Sequence, residues 1–104
     1  MPFTTQTLNA FEMTGRLAAC EIAAKRSENK AFIGVYPPSK NDGRWLVRRF
    51  EIPSALVTQY FGEEDLQTSE MIWLTTVDDV EALLASWGVD SSKLDAPWKS
   101  DYPL

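Results

Sequence analysis

Histidine is absent from this chain of 104 residues, and cysteine occurs only once. Without histidine, neither the Ser-His-Asp nor the Cys-His arrangement of nucleophilic catalysis can be built, and one cysteine cannot complete a zinc site. Cys20 has no second cysteine for an intramolecular disulfide, and its alanine-rich surroundings favour a small core residue over a nucleophile. We therefore predict no catalytic residue, no metal site and no cofactor.

Signals of other familiar function classes are also missing. The five glycines stand singly, at spacings unlike those of a phosphate-binding loop. No apolar run approaches the ~18 residues of a membrane span, and the first residues lack the basic and apolar segments of a signal peptide. We expect a cytoplasmic protein with no membrane partner, folded as a single domain over residues 1–104.

Charge is distributed unevenly along the chain. Residues 1–50 hold eight basic and four acidic residues, whereas residues 51–104 hold two basic and eleven acidic ones, for a net charge of −5. This balance disfavours direct nucleic-acid binding, because phosphate contacts need a basic surface. Arg44, Arg48 and Arg49 lie among aromatic residues, but strand alternation sends the last two to opposite faces. The asymmetry has two readings, attraction to an oppositely charged partner and mutual neutralisation of the two halves.

Hydrophobic periodicity predicts the element order α-β-β-α-β-α. Residues 7–27 indicate an alanine-rich helix capped by Thr5 or Thr7, apolar on two faces and weakened at Gly15. This pattern predicts an α+β fold, a small antiparallel or mixed sheet of about three strands with helices packed on it. The remaining elements are strands at 31–36, 44–51 and 70–75, a short helix at 53–61, a helix after Thr76 and an irregular tail at 89–104.

The helix after Thr76 has the clearest signals. Thr76 is a candidate N-cap, Asp79 stands in the capping-box position, and Gly88 follows the last turn. The apolar stripe of this helix and the alternation of the preceding strand predict a shared core. Its predicted members are Val80, Leu84, Trp87, Ile72 and Leu74.

Acidic residues cluster in one loop and at the start of this helix. Glu63 to Asp65 form a polar loop, while Asp78 and Asp79 suit the positive end of the helix. A solvated surface is favoured over a magnesium site, and a negative patch that meets a positive partner is the simpler functional alternative. Trp98 is assigned either to the core or to an exposed anchor. The predicted partner-binding residues are Glu63, Glu64, Asp65, Glu70, Tyr60 and Trp98.

Three features carry a resemblance to a known family: the segment Thr75-Thr-Val-Asp-Asp-Val-Glu-Ala-Leu-Leu-Ala-Ser-Trp-Gly88, the preceding strand Met71-Ile-Trp-Leu74, and the acidic balance. On these features the whole chain resembles the small bacterial immunity proteins of contact-dependent growth inhibition and related toxin systems. The resemblance implies a cytoplasmic protein that binds and neutralises one cognate toxin domain, commonly a nuclease. An acidic inhibitor matches a basic nuclease, and this charge match speeds association.

Two alternatives belong to other classes of protein. The first is a small non-catalytic subunit or adaptor of a bacterial or phage assembly, including a homodimer formed through the two-faced first helix near Met13 and Leu17. The second is a carboxylate-based enzyme that depends on magnesium. A neighbouring toxin gene would favour immunity, a dimer in solution would favour the adaptor, and magnesium-dependent hydrolysis would favour the enzyme.

Overall fold

The computed structural model describes residues 2–39, 43–56, 67–100 and 102–103, of which 67, 68 and 98 are described by their backbone alone. The strands form one antiparallel sheet in the order β1-β2-β3-β4, so each strand pairs with its neighbour in the sequence. The predicted α+β class with an antiparallel sheet is confirmed. The helices and strands of this part of the chain are α1 (Thr5–Thr14), β1 (Ala18–Ile22), β2 (Asn29–Tyr36), β3 (Trp45–Pro53), β4 (Gln67–Leu74) and α2 (Val77–Ser86).

The predicted helix over residues 7–27 is wrong in its second half. The N-cap is Thr4, whose side chain accepts a hydrogen bond from the Thr7 amide at 3.2 Å. The helix ends at Gly15, which has a φ of 64° in the left-handed region that glycine adopts easily. The chain then returns as β1, in which Cys20 lies opposite Ile33 of β2. Pairing with a distant strand overrides the helix propensity of the alanines. The predicted two-faced helix does not form, because each of its apolar faces would combine residues of α1 with residues of β1.

The element order differs from the predicted one at two places. β1 is an additional strand, so the sheet has four strands where about three were predicted. β3 ends at Pro53, which has no amide hydrogen to donate to the ladder. Only Ser54–Leu56 forms a helical turn, of the 3-10 type, and the rest of the predicted helix at 53–61 lies outside the described residues.

The main core lies on the face of the sheet that α1 and α2 cover. Phe11 of α1 meets Phe3 and Trp45 edge-on, with ring centroids 5.3 and 5.1 Å apart. Val35 and Val47 are fully buried beneath the helices, as opposite partners on β2 and β3. Aromatic and branched side chains therefore join the N-terminal helix to the middle of the sheet.

The second helix carries the core that its stripe predicts. Val80 and Leu84 are fully buried, which confirms their assignment to the core. Trp87 and Leu74 are partly buried against the same cluster. Ile72 is half-buried on β4, opposite the buried Val47 of β3. The hydrophobic periodicity thus identified which side of α2 and β4 faces inward.

Hydrogen bonds at the start of α2 confirm Thr76 as its N-cap. The Thr76 hydroxyl oxygen accepts a hydrogen bond from the Asp79 amide at 3.1 Å. The Thr75 hydroxyl also donates to the Asp79 carboxylate at 3.3 Å, and Gly88 follows the helix with a φ of 73°. α1 and α2 have ten residues each, and no helix in the described ranges is long and apolar enough to cross a membrane.

The segment after α2 forms hydrogen bonds with both α1 and β1. Asp95 pairs with Ala19 of β1 through two backbone hydrogen bonds of 2.8 and 3.1 Å. The neighbouring Leu94 is buried in the main core, and its carbonyl accepts a hydrogen bond from the Thr7 hydroxyl at 3.0 Å. The predicted irregular tail therefore contributes to both the core and one edge of the sheet.

Candidate functional site

The face of the sheet opposite the helices is covered around β2 by the end of the chain. The Tyr102 ring lies 6.1 Å from the Phe32 ring and 5.6 Å from the Phe50 ring, measured between centroids. Its hydroxyl oxygen is 2.9 Å from that of Tyr36. Gly34 lies directly beneath Tyr102, and its missing side chain leaves room for the ring. This part of the face is a second, smaller core closed by the C-terminal segment.

The rest of this face, on β3 and β4, exposes large apolar side chains. Met71 is 51% exposed and Trp73 is 45% exposed. Leu46 lies opposite Trp73 and Arg48 lies opposite Met71, and directly opposite residues of an antiparallel pair share one face. Arg44 joins them through its contact with Trp73. We call these five residues the β3–β4 face.

Two arginines lie against aromatic rings on this side of the sheet. The Cζ atom of Arg44 is 4.7 Å from the ring centroid of Trp73, and that of Arg48 is 5.8 Å from the ring centroid of Phe50. Cation–π contacts of this kind order long side chains at a surface. Tryptophan, methionine and arginine are also enriched in protein–protein interfaces. The composition of the β3–β4 face therefore fits contact with another protein.

Glu70, a predicted partner-binding residue, lies on the other side of the sheet. Its carboxylate accepts hydrogen bonds from both the Nε, at 3.1 Å, and the Nη2 of Arg49. The Cζ of Arg49 in turn lies 4.0 Å from the ring centroid of Trp87. The sheet thus separates Glu70 from Trp73, and Arg48 and Arg49 point to opposite faces, as strand alternation predicts.

The other predicted partner-binding residues fall where the structure gives no side-chain geometry. Tyr60, Glu63, Glu64 and Asp65 lie outside the described residues. The backbone of Trp98 lies in the 3-10 turn Pro97–Lys99, but its side chain is outside the described part. These five assignments stay predictions.

The acidic pair that follows Thr76 has a structural position. Asp78 and Asp79 occupy the first turn of α2, where a negative charge interacts favourably with the helix dipole. Within the described ranges, no group of three or more histidine, cysteine or acidic side chains is arranged to hold a metal ion. In this arrangement the two carboxylates stabilise the start of a helix.

Two surface depressions lie away from the β3–β4 face. A groove of about 510 Å³ lies between α1, the end of β2 and the start of α2. Among the described residues, its lining is apolar and includes Trp45, except for one charged residue, Glu12. A second depression of about 430 Å³ is lined by Cys20 and Lys93, among others. Burial raises the pKa of the Cys20 thiol to about 11, against a smaller lowering by Lys93, so the thiol is protonated near neutral pH. Neither depression brings together an activated nucleophile and a base.

The alternation of residues along β4 predicts part of the β3–β4 face. Placing Ile72 and Leu74 in the core assigns Met71 and Trp73 to the opposite face by alternation. What the pattern leaves open is whether that opposite face is covered. The answer depends on Tyr102, which covers β2 and leaves these two side chains exposed.

No family model matches the chain, and no curated protein or solved structure is significantly similar to it.

Proposed function

We propose that this chain is an immunity protein that neutralises a cognate toxin domain by binding it, and that the β3–β4 face is its main contact surface. The observation that supports this is the joint exposure of Met71, at 51%, and Trp73, at 45%, with Arg44 stacked on the tryptophan. A rigid tryptophan offers a large apolar area and loses little conformational entropy when a partner covers it.

The support for a toxin as the partner comes from the sequence. The strand Met71 to Leu74 and the helix that follows it carry the resemblance to bacterial immunity proteins. β4 is also the strand that presents Met71 and Trp73, and α2 packs on the opposite face of the same sheet. The segment behind the resemblance is thus the segment that builds and supports the exposed surface.

Charge suggests which kind of toxin domain would fit. The net charge of −5 acts at long range and favours a basic partner, such as a nuclease domain. Arg44 and Arg48 act at contact distance, where guanidinium groups bind carboxylates and backbone carbonyl oxygens. We therefore propose a partner that is basic overall and presents an apolar patch bordered by such acceptors. Glu63, Glu64 and Asp65 are the proposed source of long-range attraction.

The test is protection of cells from a toxin domain encoded beside this gene. Co-expression of the wild-type chain is expected to restore growth. Trp73→Ala is expected to lose most of that protection, because truncating an anchor at the centre of an interface typically costs about 2 kcal/mol or more.

Met13→Ala is the matched control, because Met13 is another large apolar side chain, 81% exposed but on α1. This control should protect as well as the wild type does. Full toxicity in the presence of abundant, folded wild-type chain would contradict the proposed function. Equal protection by both variants would leave immunity standing but would remove the β3–β4 face as the contact surface.

A further inference from the structure

The groove between α1, the end of β2 and the start of α2 combines an aromatic ring with a carboxylate. Its volume of about 510 Å³ falls in the range of known ligand pockets, which are mostly apolar and hold few polar groups. Among the described residues that line it, Glu12 is the one charged side chain and Trp45 is the one tryptophan. The other described lining residues are apolar, and they are Leu8, Phe11, Pro37, Pro38 and Val77.

Glu12 has no structural role in the described part of the chain. Its side chain is exposed, and its carboxylate forms no hydrogen bond or ion pair with another described residue. It lies in the last turn of α1, where the helix dipole disfavours a negative charge. In this it differs from Asp78 and Asp79, which occupy the favourable first turn of α2.

Trp45 differs from two other tryptophans of the chain in having no cation against its ring. The Cζ atom of Arg44 lies 4.7 Å from the ring centroid of Trp73. The Cζ atom of Arg49 lies 4.0 Å from the ring centroid of Trp87. Within the described ranges no guanidinium or ammonium group lies against Trp45, although its ring is only half-buried.

Arg49 shows a complete arrangement of this kind in the same chain. Its guanidinium lies against the Trp87 ring and also donates hydrogen bonds to the Glu70 carboxylate. A planar guanidinium can do both at once, because its face stacks on a ring while its edge donates to a carboxylate. The groove supplies the tryptophan and the carboxylate, and no described residue supplies the guanidinium.

We propose that this groove binds an arginine side chain of a partner protein, carried on an apolar segment. The guanidinium lies against Trp45 and pairs with Glu12. The apolar neighbours of that arginine pack on the rest of the lining, on Leu8, Pro37, Pro38 and Val77. This contact is separate from the β3–β4 face, because the groove lies on the face of the sheet that the helices cover.

The experiment titrates the blocked tripeptide acetyl-Leu-Arg-Leu-amide into the isotope-labelled chain and follows the indole N–H signal of Trp45 by NMR. Trp45→Phe identifies that signal. A saturable shift is expected, with a Kd of about 1 mM or tighter. The neutral peptide acetyl-Leu-Gln-Leu-amide and arginine amide alone are each expected to bind about fivefold more weakly or worse, because each lacks one half of the match.

Glu12→Gln is expected to weaken binding of the arginine peptide by about fivefold, the upper range for an exposed ion pair. Glu21→Gln is the matched control, because it removes the same charge from an exposed position on β1, at the other depression. This control should keep the wild-type Kd.

A Trp45 signal that shows no saturable shift up to about 10 mM arginine peptide would overturn the proposal. So would equal affinity of the wild type for the arginine and glutamine peptides, or equal affinity of the wild type and Glu12→Gln for the arginine peptide. Arginine amide that binds as tightly as the peptide would overturn the protein segment as the occupant. None of these results bears on the proposed function, because no toxin is present.

Discussion

The ring of Tyr102 occupies the space where a side chain at Gly34 would begin. A Cβ atom built on Gly34 would lie 2.6 Å from the Cζ atom of Tyr102 and closer still to its hydroxyl oxygen. Gly34 does not have a positive φ, so the glycine is required here by packing and not by backbone conformation. The pair lies over β2, on the same face of the sheet as the exposed side chains of Met71 and Trp73.

Gly34→Ala is therefore expected to displace Tyr102 and to lower the free energy of unfolding. Forcing extra volume into a packed site typically costs about 1–3 kcal/mol. Urea denaturation of a double-mutant cycle with Tyr102→Ala measures the coupling. In the Tyr102→Ala background the cost of Gly34→Ala should largely disappear. An equal cost in both backgrounds would show that the strain lies elsewhere.

Leu84→Ala tests the packing of α2 on the sheet. Leu84 is fully buried in the main core, so its truncation should lower the free energy of unfolding by about 2–5 kcal/mol. Met13→Ala removes a side chain of similar size that is 81% exposed, and it should stay within about 0.5 kcal/mol of the wild type. Equal effects of the two substitutions in thermal or urea unfolding would contradict the assignment of this core.

Glu51 should make the stability of the chain depend on acid pH. Burial raises the pKa of this carboxyl, but hydrogen bonds from the backbone amides of Lys25 and Arg26 and from the Asn29 side chain outweigh it, so the pKa lies below its usual value. A lowered pKa stabilises the fold above the unfolded-state value of about 4.3, and this contribution is lost as pH falls through the folded-state pKa. Glu51→Gln should therefore be less stable than the wild type at neutral pH, and the difference should shrink below about pH 4.

The measurement for Glu51 is urea denaturation of both proteins from pH 3 to pH 7. Glu12→Gln, at an exposed position on α1, is the matched control for loss of one negative charge. A stability difference between the wild type and Glu51→Gln that stays constant across this range would contradict the account of the buried carboxylate.

Cys20 should react slowly with thiol reagents while the chain is folded. Its pKa is raised from 9.0 to about 11, which lowers the thiolate fraction at pH 8 by on the order of a hundredfold. Burial of the side chain slows the reaction further. Absorbance-monitored labelling should be slow in buffer and rapid in denaturant, and rapid labelling of the folded chain would show that Cys20 is accessible.

The sequence was most informative where local pattern decides structure. The Thr76 cap, the stripe through Val80 and Leu84 and the alternation of β4 are all short-range signals, and each agrees with the structure. The local pattern wrongly predicts a helix for β1, because the alanines of Ala18 to Ile22 favour a helix, and pairing with β2 makes this segment a strand. The contact between Tyr102 and Gly34 joins residues far apart in the chain, so no local pattern could predict it.

The β3–β4 face also depends on both a local pattern and a contact between distant parts of the chain. Alternation alone places Met71 and Trp73 on one face of a strand. Their exposure depends on the path of the C-terminal segment, which packs over β2 and leaves β4 uncovered within the described part of the chain. Charge and composition predict a binding protein whose contact residues include Glu63, Glu64 and Asp65, which lie outside the described residues. Among the described residues, the large apolar side chains exposed on the sheet lie on the β3–β4 face.

The most direct test of the proposed function is the affinity of the purified chain, measured by calorimetry, for a candidate toxin domain encoded beside its gene. We expect stoichiometric binding by the wild type, and a Kd weakened by about 30-fold or more for Trp73→Ala, which corresponds to about 2 kcal/mol. Met13→Ala should keep the wild-type Kd. Wild-type binding that Trp73→Ala leaves unchanged would contradict the claim that the β3–β4 face is the surface through which this protein acts.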